Sequence, residues 1–466
     1  MLFSSISFLY YFLPCVVILY FAVPNCLKNS VLLLSSLFFY GWGEPRYLVF
    51  MLASITQGYF FGVLIEKHRG GKRSKVFLTA SVLLSLSLLG YCKYADFFIE
   101  NFNALTGLSV SLLNIALPIG ISFYTFQTLS YVVDVYRGGV PAQKNYVDLA
   151  AYIAMFPQLI AGPIVRYADI AAQLKDRTQS LDGIALGIRR FIIGLSKKVL
   201  LANILGELVS IFKASGEKSV LYFWLYAAAY LLHVYFDFSG YSDMAIGLGR
   251  VFGFRFPENF DYPYISGSIT EFWRRWHMSL GSWFRDYLYI PLGGNRVSKA
   301  RWLVNILIVW MATGFWHGAA WNFVVWGLMF AILLIVEKLW LSRLLEKSKV
   351  ISHLYVLFFL TLSFVVFDAS SMSGALAYIR AMLGGLNYPA VTFESVYYLK
   401  SYGVVLLAAV IGATPLPKRL AAAAENSRYT GALFHAAEPL VLLALLAVCT
   451  AFLIDGSFNP FLYFRF

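Results

Sequence analysis

The sequence predicts an all-α, polytopic integral membrane protein, and three observations carry that reading. Of 466 residues, 60% are hydrophobic and 13% are charged, too little charge to cover a soluble surface; 41 Phe and 31 Tyr exclude a disordered chain. Apolar runs of about 20 residues recur between short charged loops, as membrane-spanning helices require. The runs are continuously apolar and do not alternate with period two, which excludes a β-barrel.

In chain order the apolar segments are 5–24, 30–42, 47–65, 76–99, 111–135, 184–211, 220–248, 302–319, 321–341, 351–370, 397–413 and 434–455. They predict about 11–12 transmembrane helices in one domain over 1–466: N-terminal spans in 1–140, a core in 148–345 and C-terminal spans in 346–466. Segment 148–165 is short and holds Pro157, Gly162 and Pro163, so it reads as re-entrant. The N-terminus lacks a basic leader and a small-residue cleavage site, so the first span is expected to be retained. With both termini outside, the inner loops carry 26 Lys and Arg and the outer ones six, Arg465 among them. That bias favours extracytoplasmic termini.

The net charge of +13 fits such a protein and its anionic lipid. No basic, aromatic-studded soluble domain is present, so no nucleic-acid partner is expected. Cys15, Cys26, Cys92 and Cys449 are far apart and read as small core residues. No internal repeat and no inverted pair of broken helices is seen, which argues against a secondary transporter.

Ionisable groups are costly in lipid unless paired or lining a cavity, and here they concentrate in 230–322. In HVYFDFSGYSDMAIG (233–247), His233 and Asp237 are four apart, as are Asp237 and Tyr241, so each pair shares a helix face. They form either a polar cavity lining or a structural ion pair. Gly240 suits a close helix approach. In SITEFWRRWHMSLGSWFRDYLYIPLGGNR (268–296), Ser268 and Glu271 form a capping box. Ile269, Phe272, Trp273, Trp276, Leu280, Trp283, Phe284 and Tyr287 then make one stripe opposite Arg274, Arg275, Ser282, Arg285 and Asp286. This predicts one amphipathic interfacial helix, ended by Pro291 and Gly293-Gly294. His277, at the stripe's edge, is either a snorkelling interfacial residue or a catalyst. In TGFWHGAAWNFVVWG (313–327), His317 lies in an uncharged stretch beside Trp316. It is either a neutral general base in a cavity or satisfied by a backbone carbonyl; Gly314, Gly318 and Asn322 favour the cavity.

A metal is not expected, because no third ligand stands at zinc or iron spacing. No P-loop, dinucleotide fingerprint or nucleophile elbow is present.

Together, FDFSGYSDMAIGLGRVFGFRFPENFDYPYIS, FWRRWHMSLGSWFRDYLYIPLGGNR and GFWHGAAWNFVVWG closely resemble the membrane-bound O-acyltransferases. RDYLYIPLGGNR resembles the branch of the alginate O-acetyltransferase membrane subunits more than that of teichoic acid D-alanyl transfer. The likeness is strongest over about 230–330; PIGISFYTFQTLSYVVDVYRG and FPQLIAGPIVRY also resemble the family. It implies an acyltransferase with a core histidine, His317, and a second histidine, His277. It also implies acetyl-CoA as a cytosolic donor substrate with no tightly bound cofactor, and an extracytoplasmic SGNH-like partner that modifies a polysaccharide.

Chemistry then suggests roles. Arg274, Arg275, Arg285 and Arg296 either bind the donor's phosphates through their planar forks or anchor the helix to anionic lipid. A tunnel lined by residues such as Trp273 and Trp276 leads the thioester toward His317, which removes the acceptor hydroxyl's proton. His277 either orients the donor or hydrogen-bonds the developing oxyanion. His233, Asp237, Tyr241, Trp316 and Asn322 are expected to line the cavity. A polysaccharide exporter is the alternative from another class, and peptidoglycan or teichoic acid the alternative acceptors.

Overall fold

A computed structural model describes residues 1–43 and 45–456; the expected outer C-terminus with Arg465 lies outside the described residues. Every regular element among the described residues is a helix. Six helices are long and apolar enough to cross a membrane: Pro45–Lys67, Lys72–Thr106, Val220–Val251, Trp321–Leu345, Lys349–Asp368 and Gly431–Ile454. The pair Phe393–Ser401 and Gly403–Gly412, bent by 55°, makes a seventh if counted as one span. Their environments differ: 78% of the most apolar window of Val220–Val251 is buried, against 6% for Gly431–Ile454. The first is a core helix and the last presents its side chains outward.

Of the remaining expected segments, 302–319 forms the unbroken 19-residue helix Lys299–His317, long enough but less apolar. The others lie on shorter or interrupted helices, so length and apolarity support six or seven crossings where the sequence suggests 11–12. Segment 5–24 falls on Ser7–Ala22 and 30–42 on Lys28–Gly43. Segment 184–211 passes through a π turn at Lys197–Ala202. Segment 111–135 is helical only from Ile121, after a turn in which Gly120 takes φ +76°, a conformation that glycine adopts without steric cost.

The chain forms two compact units. The first comprises Met1–Phe191 and Met244–Pro257. Its core is aromatic: the Phe8 ring lies 4.7 Å from Phe3, and Phe156 meets Phe12 edge-on at 5.3 Å, a favoured ring geometry. Loop cations are used internally. Arg177 donates to Tyr20 Oη at 2.8 Å and to Asn29 Oδ1 at 2.7 Å, and Lys28 donates to Gln179 at 2.8 Å. The interruption expected in 148–165 is present. The helix Tyr146–Ala154 breaks at Met155, one turn follows at Phe156–Leu159, and every residue from 149 to 165 is buried.

The second unit comprises Ile192–Asp243 and the chain from Glu258. Small residues let its helices touch backbone to backbone. A Cβ on Gly314 would lie 2.3 Å from the Phe323 carbonyl oxygen, and one on Gly327 2.3 Å from that of Trp310. The helices Lys299–His317 and Trp321–Val336 therefore form a tight hairpin. Gly240 likewise sits against Gly194, its added Cβ 2.7 Å from the carbonyl oxygen. Asp237 does form a buried ion pair, but with Lys198, Nζ to Oδ1 2.5 Å, both side chains 2% exposed. His233 turns its Nδ1 to the Ala202 carbonyl at 2.6 Å.

Candidate active site

The stretch expected to form one amphipathic helix is broken at its middle. Ser268 starts the helix Ile269–Arg275, its hydroxyl accepting from Glu271 N–H at 3.0 Å. The reciprocal arm of the capping box is displaced by one residue, since Glu271 Oε2 takes the N–H of Gly267 at 2.9 Å. At Trp276 the backbone becomes extended, and at His277 it is left-handed with φ +45°. A second helix, Met278–Phe284, then begins and passes into a π turn at Arg285–Tyr289.

The break has a tertiary cause that hydrophobic periodicity does not encode. The segment Asn259–Asp261 pairs with it like a strand. Asp261 N–H donates to the Arg275 carbonyl at 2.9 Å, and Met278 N–H donates to the Asn259 carbonyl at 3.0 Å. These bonds satisfy backbone groups that a continuous helix would have paired internally.

The Asn259 side chain then meets the imidazole. Its Oδ1 lies 3.1 Å from His277 Nδ1, and it accepts from Ser279 Oγ at 2.9 Å and Ser279 N–H at 3.3 Å. Its Nδ2 donates to Ser242 Oγ at 3.0 Å. His277 is 1% exposed and packs edge-on to Phe238 at 4.7 Å. Burial, reinforced by the nearby His317, holds its imidazole well below the ordinary histidine range, so it is neutral at physiological pH.

Beside it lies a cavity of about 570 Å³, within the size range of small-molecule sites. Its lining includes His277, Trp273, Trp310, Thr313, Arg274 and Arg285, with Lys338 from the Trp321–Leu345 span. Arg274 and Arg285 are exposed whereas His277 is buried, so the cavity runs from a cationic rim to a neutral imidazole. Two buried polar atoms on its lining residues have no hydrogen-bond partner, His277 Nε2 and Trp273 Nε1. One is a ring nitrogen that either donates or accepts, and the other is a donor only.

The helix carrying Trp273 and Arg274 is capped from another element. Glu337, 2% exposed, accepts Ile269 N–H at 2.6 Å, Thr270 N–H at 2.9 Å and Thr270 Oγ1 at 2.7 Å. A carboxylate at a helix N-terminus satisfies orphan donors and favours the helix dipole.

The other residues singled out by sequence lie apart from this lining. Arg275 bonds Glu271 at 2.9 Å and Asp261 at 2.8 Å. Arg296 is exposed and is not among the lining residues. Trp276 is packed against Phe272, Phe260 and Phe364. His233 and Asp237 belong to the buried group around Lys198, and Tyr241 is buried and not among the lining residues. Asn322 donates to the carbonyls of Phe367 at 3.2 Å and Ala369 at 3.1 Å, tying the hairpin to the next helix. His317 ends its helix half-buried and is also not a lining residue. It stands one indole away: Trp316 lies 6.1 Å from the His277 ring and 4.9 Å from that of His317.

Asn259, Glu337 and Lys338 escape the sequence reading. For the last two the signal was present, as charges within an apolar run. Asn259 offers none beyond its place in FPENFDYPY, because its partners come from distant segments.

A family model described as MBOAT, membrane-bound O-acyltransferase family, matches residues 140–375. The chain is similar to the probable alginate O-acetylase AlgI of Azotobacter vinelandii, 39% identical over 505 residues covering all of both chains. It is similar to the peptidoglycan O-acetyltransferase of Helicobacter pylori, 35% identical over 422 residues, 82% of this chain and 80% of that one. A shorter stretch of 228 residues is 31% identical to the teichoic acid D-alanyltransferase of Bacillus subtilis, covering 46% of this chain and 58% of that one.

Proposed function

This chain belongs to the membrane-bound O-acyltransferase family and is an acyltransferase; from that premise we propose that it O-acetylates an extracytoplasmic polysaccharide with acetyl taken from cytosolic acetyl-CoA. One observation carries the donor assignment: the cavity beside His277 joins a cationic rim of Arg274, Arg285 and Lys338 to a buried, neutral imidazole. Guanidinium forks suit the phosphates of coenzyme A, and an apolar, tryptophan-walled interior suits the thioester end.

All three rim cations belong to segments that the Lys/Arg bias assigns to the inner face. The donor therefore enters from the cytosol, in a bacterial inner membrane with both termini outside. His317, one indole further on, removes the proton of the acceptor hydroxyl as its oxygen attacks the thioester carbon. The C–O bond forms, the C–S bond breaks, and coenzyme A leaves as thiol after taking that proton. The carbonyl oxygen gains charge during attack and needs a donor; Trp273 Nε1–H is a buried donor on the cavity wall without a partner. An SGNH-like extracytoplasmic protein receives the acetyl group and delivers it to the polymer.

The test is transfer of radiolabelled acetyl from acetyl-CoA by purified protein in proteoliposomes supplied with polymer and the outer partner. Label in a hydroxylamine-labile ester on polymer or partner, lost in His317→Ala, supports the reading. No coenzyme A release from acetyl-CoA overturns it. The likeness to a D-alanyltransferase makes a D-alanyl thioester the second donor class, and transfer from that donor alone would select it.

A further inference from the structure

We propose that Asn259 is the positioning residue of this site: its side-chain oxygen holds His277 with the ring proton on Nδ1, so that Nε2 faces the donor cavity as a lone pair. The inference rests on the acetyl-transfer reading and decides how His277 serves it.

The argument starts from a donor of fixed identity. Ser279 N–H is a backbone group that only donates, and it points at Asn259 Oδ1 at 3.3 Å, with Ser279 Oγ at 2.9 Å. The other end of the amide faces Ser242 Oγ at 3.0 Å, a hydroxyl that accepts. The orientation of the amide is thus set by its surroundings. An oxygen then faces His277 Nδ1 at 3.1 Å, and that nitrogen must carry the proton. A neutral imidazole has one N–H, so Nε2 is left with its lone pair. Nε2 is buried and without a partner, on a residue that lines the cavity.

The consequence separates the two roles expected for His277. A lone pair does not stabilise a developing oxyanion, so His277 is not the oxyanion donor. It does accept a hydrogen bond from an N–H of the donor's pantetheine arm, a chain of amides that precedes the thioester. His277 therefore orients the donor, and Asn259 acts through it. The surrounding charges leave the ring neutral. Asp261 is held by Arg275 at 2.8 Å and Asp243 by Lys197 at 2.7 Å, and the titratable group that acts on the ring is His317.

The test combines kinetics with a direct reading of the tautomer. Asn259→Ala should raise the acetyl-CoA KM about tenfold, the factor one hydrogen bond supplies, with kcat within about twofold. Asn259→Asp keeps an acceptor at Oδ1 and adds a negative charge that favours imidazolium; it should restore part of the KM and move the acid limb of kcat/KM to higher pH. Ser242→Ala, which keeps the backbone contacts of Asn259, covers the case in which Asn259→Ala does not fold; it should shift KM the same way but less. Nitrogen-15 NMR of histidine-labelled full-length protein should show His277 protonated at Nδ1. Protonation at Nε2, a fall in kcat at unchanged KM in Asn259→Ala, or an acid limb in Asn259→Asp superimposable on wild type would overturn the proposal. If wild-type protein does not turn over acetyl-CoA, the acetyl-transfer reading fails, and the NMR result alone decides the positioning.

Discussion

The Glu337 carboxylate closes on Thr270, taking its backbone N–H at 2.9 Å and its hydroxyl at 2.7 Å. A spanning helix thereby fixes the start of the short helix that walls the cavity beside His277. Isolated helices of seven residues are unstable in water, so this one depends on such external ties.

Glu337→Gln keeps the shape but removes the charge and one acceptor. Hydrogen bonds to a charged group contribute about 1.5–3 kcal/mol each, so the variant should unfold at a lower temperature in detergent and bind the donor more weakly. An unchanged Tm together with an unchanged donor KM would show that the cap is dispensable.

Neighbouring arginines should behave differently. Arg274 and Arg285 line the cavity, Arg285 with Asp286 beside it at 2.7 Å, whereas Arg275 is not among the lining residues and bonds Glu271 and Asp261. Arg285→Glu should raise the acetyl-CoA KM about tenfold and make it less sensitive to salt, because one screened attraction is lost. Arg275→Glu should lower Tm with little change in KM. Identical effects from the two substitutions would remove the phosphate assignment.

Gly327→Ala places a methyl group 2.3 Å from the Trp310 carbonyl oxygen, backbone that cannot step aside cheaply. Overpacking of this kind costs about 1–3 kcal/mol, and here it pries apart the hairpin that presents His317. Reduced yield of folded protein in size-exclusion chromatography is expected; normal yield and activity would contradict the close approach.

Lys198 and Asp237 are buried partners at 2.5 Å. Removing one leaves the other charge unpaired, a loss of about 3–5 kcal/mol. Lys198→Met should therefore destabilise strongly, and Lys198→Met combined with Asp237→Leu should recover much of the loss. A double variant less stable than either single would contradict the pairing.

The residues just tested mark where sequence reading succeeds and where it stops. Ser268 announces a helix start through its own side chain, a local feature, and the helix begins there. Periodicity, which sees only spacing, puts His277 at the edge of one long amphipathic stripe; the strand-like bonds Asp261–Arg275 and Asn259–Met278, spanning 14 and 19 residues, override it. For Asp237 the spacing leaves a cavity lining and an ion pair open; the cation that pairs it, Lys198, comes from another helix, which spacing along its own helix does not reveal. Gly240 is legible because a glycine in an apolar helix has few uses other than close approach; Gly314, whose sequence context favours a cavity, instead lets the hairpin close against Phe323.

The most direct test of the central claim is a cryo-EM structure of the full-length protein with a non-hydrolysable thioether analogue of acetyl-CoA. The account predicts the analogue in the cavity, its phosphates beside Arg274 and Arg285, an amide N–H of its pantetheine arm on His277 Nε2, and its sulfur between Trp273 and the His317 side. An analogue bound elsewhere, with the cavity filled by lipid, would contradict it.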